Sequence, residues 1–293
     1  MKKDKIAVIG LSGESNFYKV DHFNEIGETV SAYQYHKEYG GKGYNQAITI
    51  ARMGCDVSYF TVYGNDSIKE ECIKLLNKEG VLSNSVTKNG LSASASIIID
   101  KKGENQVICF PGVSNNLSKY DVLLFEDEIK EAKYLLVQLE LSLESTIQAI
   151  KLAKKYDTKV ILNPAPACKL PLEILKDCYL LTPNEQEART LFGFEINEQS
   201  ILNVPLDNLV VTLGSKGCLL KEGSNVTIIP ACKIAPLNTT GAGDVFNGTL
   251  VACLLKGKNL KEACKIANIA AGKSVQREFV IDAIPYAKEV NLE

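Results

Sequence analysis

The chain has 293 residues, 45% of them apolar and 23% charged, with 33 basic against 35 acidic side chains and a net charge of −2. That balance suits a soluble globular protein built as one large domain, or one domain with an appendage. It offers no basic field for nucleic acid or an anionic membrane surface, and no apolar run approaches the roughly 20 residues of a membrane span. Nine scattered cysteines without a Cys-x-x-Cys pair suit buried thiols in a reducing cytoplasm better than a disulfide or zinc framework. Two histidines, His22 and His36, leave little material for a His-based metal site or a Ser-His-Asp triad.

The first apolar run, residues 6–9, is too short for a signal sequence and reads as a strand. Residues 12–38 carry no long helical period, and Thr29–Tyr35 has the look of a strand. Gly40-Gly41-Lys42-Gly43-Tyr44-Asn45-Gln46 then opens a helix over 43–53. It lacks the spacing of a Walker A loop. Paired glycines at a helix start permit close backbone approach to a polar ligand, and Asn45 can donate to and accept from sugar hydroxyls; a plain helix-start turn is the alternative. Residues 57–62 read as a strand and 67–79 as a helix. Segments 92–99 and 105–110, separated by Asp100-Lys101-Lys102-Gly103-Glu104, read as a hairpin. With the 12–38 insertion they predict a small β lid over a pocket, or else edge hairpins without a role.

Strand-like runs at 134–139, 159–163, 179–182 and 209–213 alternate with helix-like segments at 143–156, 185–192 and 260–275. Near-continuous apolar strands alternating with helices predict a parallel sheet covered on both faces, with ligands beyond the strands' carboxyl ends. The polar clusters fall there: Gln138-Leu139-Glu140, Asn163-Pro164-Ala165-Pro166, Thr182-Pro183-Asn184-Glu185-Gln186-Glu187 and Thr212-Leu213-Gly214-Ser215-Lys216-Gly217. Asn184 and Glu187, three apart, can share a helical face and hold a hydrated Mg²⁺, or form a helix cap. The 212–217 turn can lie along nucleotide phosphates or be only a hairpin. Last comes Asn238-Thr239-Thr240-Gly241-Ala242-Gly243-Asp244, followed by apolar residues at helical spacing. Free N–H groups at such a helix start, backed by its dipole, form an anion site, and Asp244 in the first turn reaches whatever attacks a bound phosphate.

In this order, Gly40-Gly41-Lys42-Gly43-x-Asn45-Gln46-Ala47, Gln138-Leu139-Glu140, Asn163-Pro164-Ala165-Pro166-Ala167, Thr182-Pro183-Asn184-Glu185-x-Glu187-Ala188, Thr212-Leu213-Gly214-Ser215-x-Gly217 and Thr240-Gly241-Ala242-Gly243-Asp244 resemble the PfkB-type carbohydrate kinase family over nearly the whole chain. The resemblance implies a ribokinase-like three-layer α/β sandwich with a mostly parallel central sheet. Its core would be residues 1–11, 40–88 and 113–293, and its β-sheet lid residues 12–39 and 89–112. It implies ATP-dependent phosphoryl transfer to a hydroxyl of a small sugar. Asp244 would be the general base and Gly241, Ala242 and Gly243 the anion hole. Asn184, Thr212, Gly214, Ser215, Gly217 and Asn268 would bind nucleotide, and Glu187 with Asn184 would hold Mg²⁺ through water. Gly40, Gly41, Lys42, Asn45 and Glu140, with Asp244, would contact the sugar.

Three departures qualify the match. The family's sugar-binding Asn and Asp after the first strand overlay on Gly13 and Ser15, leaving Glu14, Asn16 or Asp21 as substitutes from a re-routed chain, or a different sugar or a nucleoside as substrate. Lid aromatics Phe17, Tyr18, Phe23, Tyr33 and Tyr35 would stack on a base or pack within the lid. Asn238 and Phe279 stand where the family usually builds a monovalent-cation site, so weak or no potassium activation is expected. The open edges of the lid strands predict a homodimer through the lid. A catalytically inactive sugar- or nucleotide-sensing protein is the remaining alternative.

Overall fold

The computed structural model describes residues 4–292; the first three residues and the last residue of the expected core lie outside them. In chain order the elements are β1 (Lys5–Ile9), β2 (Gly13–Lys19), β3 (Gln34–Gly40), α1 (Lys42–Arg52), β4 (Asp56–Tyr63), α2 (Ile68–Lys78), β5 (Leu82–Thr87), β6 (Ala93–Ile99) and β7 (Asn105–Phe110). There follow α3 (Lys119–Val122), α4 (Glu126–Glu131), β8 (Tyr134–Val137), α5 (Leu143–Lys155), β9 (Lys159–Leu162), α6 (Leu172–Lys176), β10 (Leu180–Leu181), α7 (Glu185–Phe192) and β11 (Asn208–Thr212). β12 (Cys218–Glu222), β13 (Asn225–Ile229), α8 (Ala242–Leu255) and α9 (Leu260–Ser274) complete the chain.

Among the described residues the strands form a nine-stranded sheet, β13-β12-β11-β10-β9-β8-β1-β4-β5, and a four-stranded one, β3-β2-β6-β7. From β11 to β5 every pairing in the large sheet is parallel, and β12 and β13 add an antiparallel edge. Alternation along each strand divides the core in two. Ile6, Val8, Tyr59 and Leu136 pack with α1, α8 and α9, whereas Ala7, Ile9, Phe60 and Leu135 pack with α5 and the helices on the other face. This is the three-layer arrangement that the buried strands require. The parallel strands also bring the ends of β1, β8, β9, β10 and β11 to one edge, where α1 and α8 begin.

The small sheet differs from the sequence reading in one stretch. Of Thr29–Tyr35 only Gln34 and Tyr35 are strand; β3 starts at Gln34 and runs to Gly40, paired in register with β2. Residues 24–29 are exposed, so nothing holds the apolar residues of this stretch in a sheet until pairing with Lys19 begins, where the Tyr33 N–H meets the Lys19 carbonyl. The 93–99 and 105–110 hairpin forms as expected.

The small sheet is fastened to the large one through residues 278–281. The buried Glu38 carboxylate accepts from the N–H groups of Val280 (2.9 Å) and Ile281 (3.1 Å). Phe279 stacks on His36 with ring centroids 3.5 Å apart, and Phe17 meets Phe279 edge-on. Lys19 pairs with Glu278 at 2.8 Å.

Candidate active site

The sequence places Gly241 before α8 because the chain must turn there with a positive φ of 78°. A β-carbon at Gly241 would also sit 2.5 Å from the Val280 side chain, so the turn has no room for one. The helix that follows projects Asp244 from its first turn into the sheet's carboxyl edge. Oδ2 accepts from Asn45 Nδ2 at 3.0 Å and Oδ1 from Gln46 Nε2 at 2.9 Å. Both amides come from α1, whose start is fixed by Gly41; a side chain there would collide with the Leu11 carbonyl. The backbone N–H of Lys42 donates to Glu140 Oε2 at 2.7 Å, tying α1 to the end of β8.

The electrostatics are concentrated around one ammonium. Burial opposes the charge on Lys42, but Asp244, Glu140 and Glu187 outweigh it and hold the lysine above its ordinary value. Burial raises the carboxyl of Asp244, with Lys42, Asn45 and Gln46 pulling the other way. Glu140 is pushed up to about 7 by burial, against the pull of Lys42 and with the repulsion of Asp244. Burial raises Glu187 too, opposed by the Asn184 N–H and Lys42. Carboxylates held this way, reluctant to ionise yet facing a cation, belong to sites where protons move.

Beside this cluster lies a cavity of about 280 Å³. Its walls include Thr212, Gly214, Ser215 and Gly217 from the β11–β12 turn, Asn268 from α9, and Ala242 and Gly243 from the start of α8. The remaining wall is mostly apolar, with Ile234, Phe246, Ala271 and Val275. A flat heterocycle fits such a wall, and an anionic tail would reach the α8 start. Asn184 stands next to Thr212, bridged to it in parallel β fashion.

A model of the "pfkB family carbohydrate kinase" matches residues 3–286. The chain belongs to the pfkB family of carbohydrate kinases. It is 34% identical to the ribokinase of Haemophilus influenzae, over 97% of this chain and 96% of that one. Among solved structures it resembles ribokinase from Thermotoga maritima (TM-score 0.88, 34% identity, 98% of each chain). Arabidopsis thaliana ribokinase complexed with ribose and ATP is similar as well (TM-score 0.87, 26% identity, 100% of this chain and 99% of that one). The protein is therefore an ATP-dependent carbohydrate kinase.

In this pfkB kinase the expected nucleotide residues Thr212, Gly214, Ser215, Gly217 and Asn268 share one cavity wall. Asn268 is also structural, donating to the carbonyls of Ile229 (3.1 Å) and Pro230 (3.3 Å). Asn184 and Glu187 form a complete capping box on α7, Asn184 Oδ1 accepting from the Glu187 N–H and the carboxylate accepting from Asn184 N and Nδ2. The helix-cap reading of that pair is thus the one the hydrogen bonds show, and a capping carboxylate keeps further lone pairs that can accept from water.

The substitutes considered for the missing sugar-binding acid are committed elsewhere. Glu14 bonds Asn16 and Lys37, Asn16 accepts from Tyr35, and Asp21 pairs with Lys101 on the surface. Alternation along β2 puts Glu14 and Asn16 on the outer face of the lid and Gly13, Ser15 and Phe17 on the inner one. Phe17 is packed against Phe279 and Val280, and Tyr18 against Tyr35, so these aromatics serve the lid. Gly13 lies against the Ala93 backbone, leaving no space for a side chain. The roles of Gln46, Gln138 and Asn163 around Asp244 were not visible in the sequence, although all three stand in the quoted motifs.

Proposed function

We propose that this carbohydrate kinase moves the γ-phosphoryl group of ATP to a hydroxyl of a small sugar with Asp244 as general base. The observation that carries the reading is the Asp244 carboxylate, buried beside Lys42, one turn from the Gly241–Gly243 loop and adjoining the Thr212–Asn268 cavity. ATP lies in that cavity with its phosphates toward the α8 start. The sugar lies between Gly40, Gly41, Asn45 and Glu140 under the lid. The acceptor hydroxyl gives its proton to Asp244 as its oxygen bonds to phosphorus and the bond to ADP breaks. N–H groups at Gly241 and Gly243, with Lys42 and with the Ala242 N–H once it leaves the Thr239 carbonyl (3.3 Å), meet the charge on the transferred group.

A divalent ion suits the donors present. No group of three or more His, Cys, Asp or Glu among the described residues is arranged to hold a metal by itself. Glu187 and Asn184, side by side next to the cavity residue Thr212, suit an Mg²⁺ bound through water and nucleotide phosphates, as that ion prefers. The ion would neutralise phosphate charge; Glu187 and Asn184 would orient its waters. A monovalent cation is not part of this reading. Asn238 Oδ1 is used by the Thr240 N–H, and Phe279 folds onto His36. A cytoplasmic setting suits the free cysteines, and pairing of two lids would give a homodimer.

Ribose is the first candidate for the sugar, from the relatives' names. A second reading, a sugar with fewer hydroxyls or a nucleoside, is favoured by the lid's inner face, where the register groups Gly13, Ser15, Ala95 and Cys109. That row offers one hydroxyl, and its carboxylate, Glu38 opposite Ser15, is taken by the Val280 and Ile281 N–H groups. ADP release measured over ribose, deoxyribose, fructose, other small sugars and nucleosides decides between them. Asp244→Asn is expected to lower kcat on the best substrate by at least ~100-fold. Turnover equal to the parent's would remove Asp244 from the role of base.

A further inference from the structure

Asp244 is held by two amides that differ in kind. Asn45 is buried beside Gly40, and no hydrogen bond within the protein reaches its Oδ1. Gln46 is completely buried and committed on every side. Its Nε2 donates to Asp244 Oδ1 (2.9 Å) and to Asn163 Oδ1 (3.1 Å), and its Oε1 accepts from Gln138 Nε2 at 2.6 Å. Asn163 is itself oriented, because its Nδ2 donates to the Thr182 carbonyl at 3.2 Å. The direction of Asn163 and of Gln46 is thus imposed by their neighbours, while Gln138 Oε1 meets no partner in the protein. A backbone carbonyl after β10 fixes Asn163, and Gln138 together with Asn163 forces Gln46 to point its NH₂ at the carboxylate.

The space for this chain is set by two glycines. A β-carbon on Gly10 would come 2.5 Å from Gln138 Oε1, and one on Gly43 would come 2.7 Å from the same atom. The end of β1 and the start of α1 therefore approach each other closely around the Gln138 amide. Gly43, inside the glycine-rich stretch, makes room for an amide rather than for a ligand.

We propose that Gln46, oriented by Gln138 and Asn163, is the positioning residue that holds Asp244 by Oδ1 and so leaves Oδ2 as the atom that receives the substrate proton. The proposal rests on the kinase reading given above. Asn45 is the exchangeable partner: when a sugar hydroxyl arrives, the amide turns to it and Oδ2 is released. The proton from that hydroxyl bonds to Oδ2 as the new O–P bond forms and the bond to ADP breaks, and it leaves to solvent after the product. Gln46 stays bound to Oδ1 throughout, so the carboxylate cannot rotate out of line. The charged groups facing Asp244 are Lys42 from α1, Glu140 after β8 and Glu187 on α7.

The test uses full-length Gln46→Met, which keeps volume and removes both donors, and Gln138→Met, which touches nothing on Asp244. In steady-state assays Gln46→Met is expected to lose roughly 100-fold in kcat with little change in either KM, since only the line of attack is spoiled. The acid limb of its kcat profile moves to higher pH, because a donor to the ionised form is gone. Gln138→Met shows the same two changes to a smaller degree. Should Gln46→Met not fold, Gln46→Glu, which keeps the bond from Gln138 and faces Asp244 with a like charge, must move the limb upward further. The kinase reading fails separately, if no sugar or nucleoside is phosphorylated or if Asp244→Asn is as fast as the parent. The positioning role fails if Asp244→Asn is slow while the Gln46 and Gln138 variants keep the parent's kcat and pH limb. It fails equally if they raise KM and lower Tm without moving that limb, as simple packing residues would.

Discussion

At the residue scale the site is a contest over one ammonium. Three carboxyls surround Lys42, and each is raised by burial. A carboxyl whose pKa in the folded protein lies above its unfolded value favours folding when protonated and opposes it when ionised. For Glu140, raised from 4.5 to about 7, stability is therefore lost as pH climbs between those two values, and above about 7 the full cost is present. Glu140→Gln is expected to raise Tm at pH 8 while leaving it little changed at pH 4. The same variant should raise the KM for sugar, because the amide keeps an acceptor for the Lys42 N–H but loses the charge. A thermal melt at the two pH values and one sugar titration check both signs. A lower Tm at pH 8 would show that Lys42 outweighs the burial of Glu140. In the sequence, Glu140 and Asp244 were legible because each ends a motif at a strand or helix boundary. Their mutual dependence was not legible, since it arises from distance in space between residues about a hundred positions apart.

At the element scale the lid shows which patterns a sequence carries. β6 and β7 were readable as a hairpin, because an apolar run, a polar turn and a second run follow each other directly. β2 and β3 were not, since Gly-Glu-Ser-Asn-Phe-Tyr-Lys and Gln-Tyr-His-Lys-Glu-Tyr-Gly owe their strand form to pairing across 14 intervening residues (20–33) rather than to their own composition. Nor could the sequence show that Glu38 caps the N–H groups of Val280 and Ile281. That contact matters twice. Val280 bears on Gly241, so the carboxylate that fastens the lid also supports the Gly241 turn, the proposed anion hole. Glu38→Ala leaves two buried N–H groups unpaired, and is expected to cost roughly 1–3 kcal/mol in chemical denaturation. It should also reduce kcat through the loosened loop. Denaturation together with kinetics checks this; an unchanged kcat would separate the lid fastening from catalysis. With this protein contact in the 278–281 loop, and Phe279 stacked on His36, activity should be the same in potassium as in sodium at equal ionic strength. A large, saturable rise with potassium would overturn that expectation.

At the scale of the whole molecule the small sheet is the part left unfinished. Most of the large sheet is buried between helices, but both edges of the small one, β3 and β7, are open among the described residues. Every residue of β7 is exposed, and Val107, Ile108 and Phe110 stand out at 52%, 67% and 49%. Tyr33 and Tyr35 add 57% and 55% beside the other edge. An open strand edge with a row of large apolar side chains is a surface that proteins cover, either with their own chain or with another copy. The lid is anchored at its base by Glu38, His36 and Lys19, so it cannot fold flat against the core to hide them. Pairing with the lid of a second subunit removes both the edge and the apolar row, and it stiffens a cover that must exclude water during transfer. The expected state at micromolar concentration is therefore a dimer by sedimentation equilibrium. Ile108→Glu, placing a charge on the outer face of β7 and far from Asp244 in sequence and fold, should shift it toward monomer. If the lids need each other to stay ordered, the same variant raises the KM for sugar more than that for ATP, because in the proposed arrangement the lid covers the sugar and not the Thr212–Asn268 cavity. A parent protein that sediments as a monomer would show that the lid edge is tolerated open.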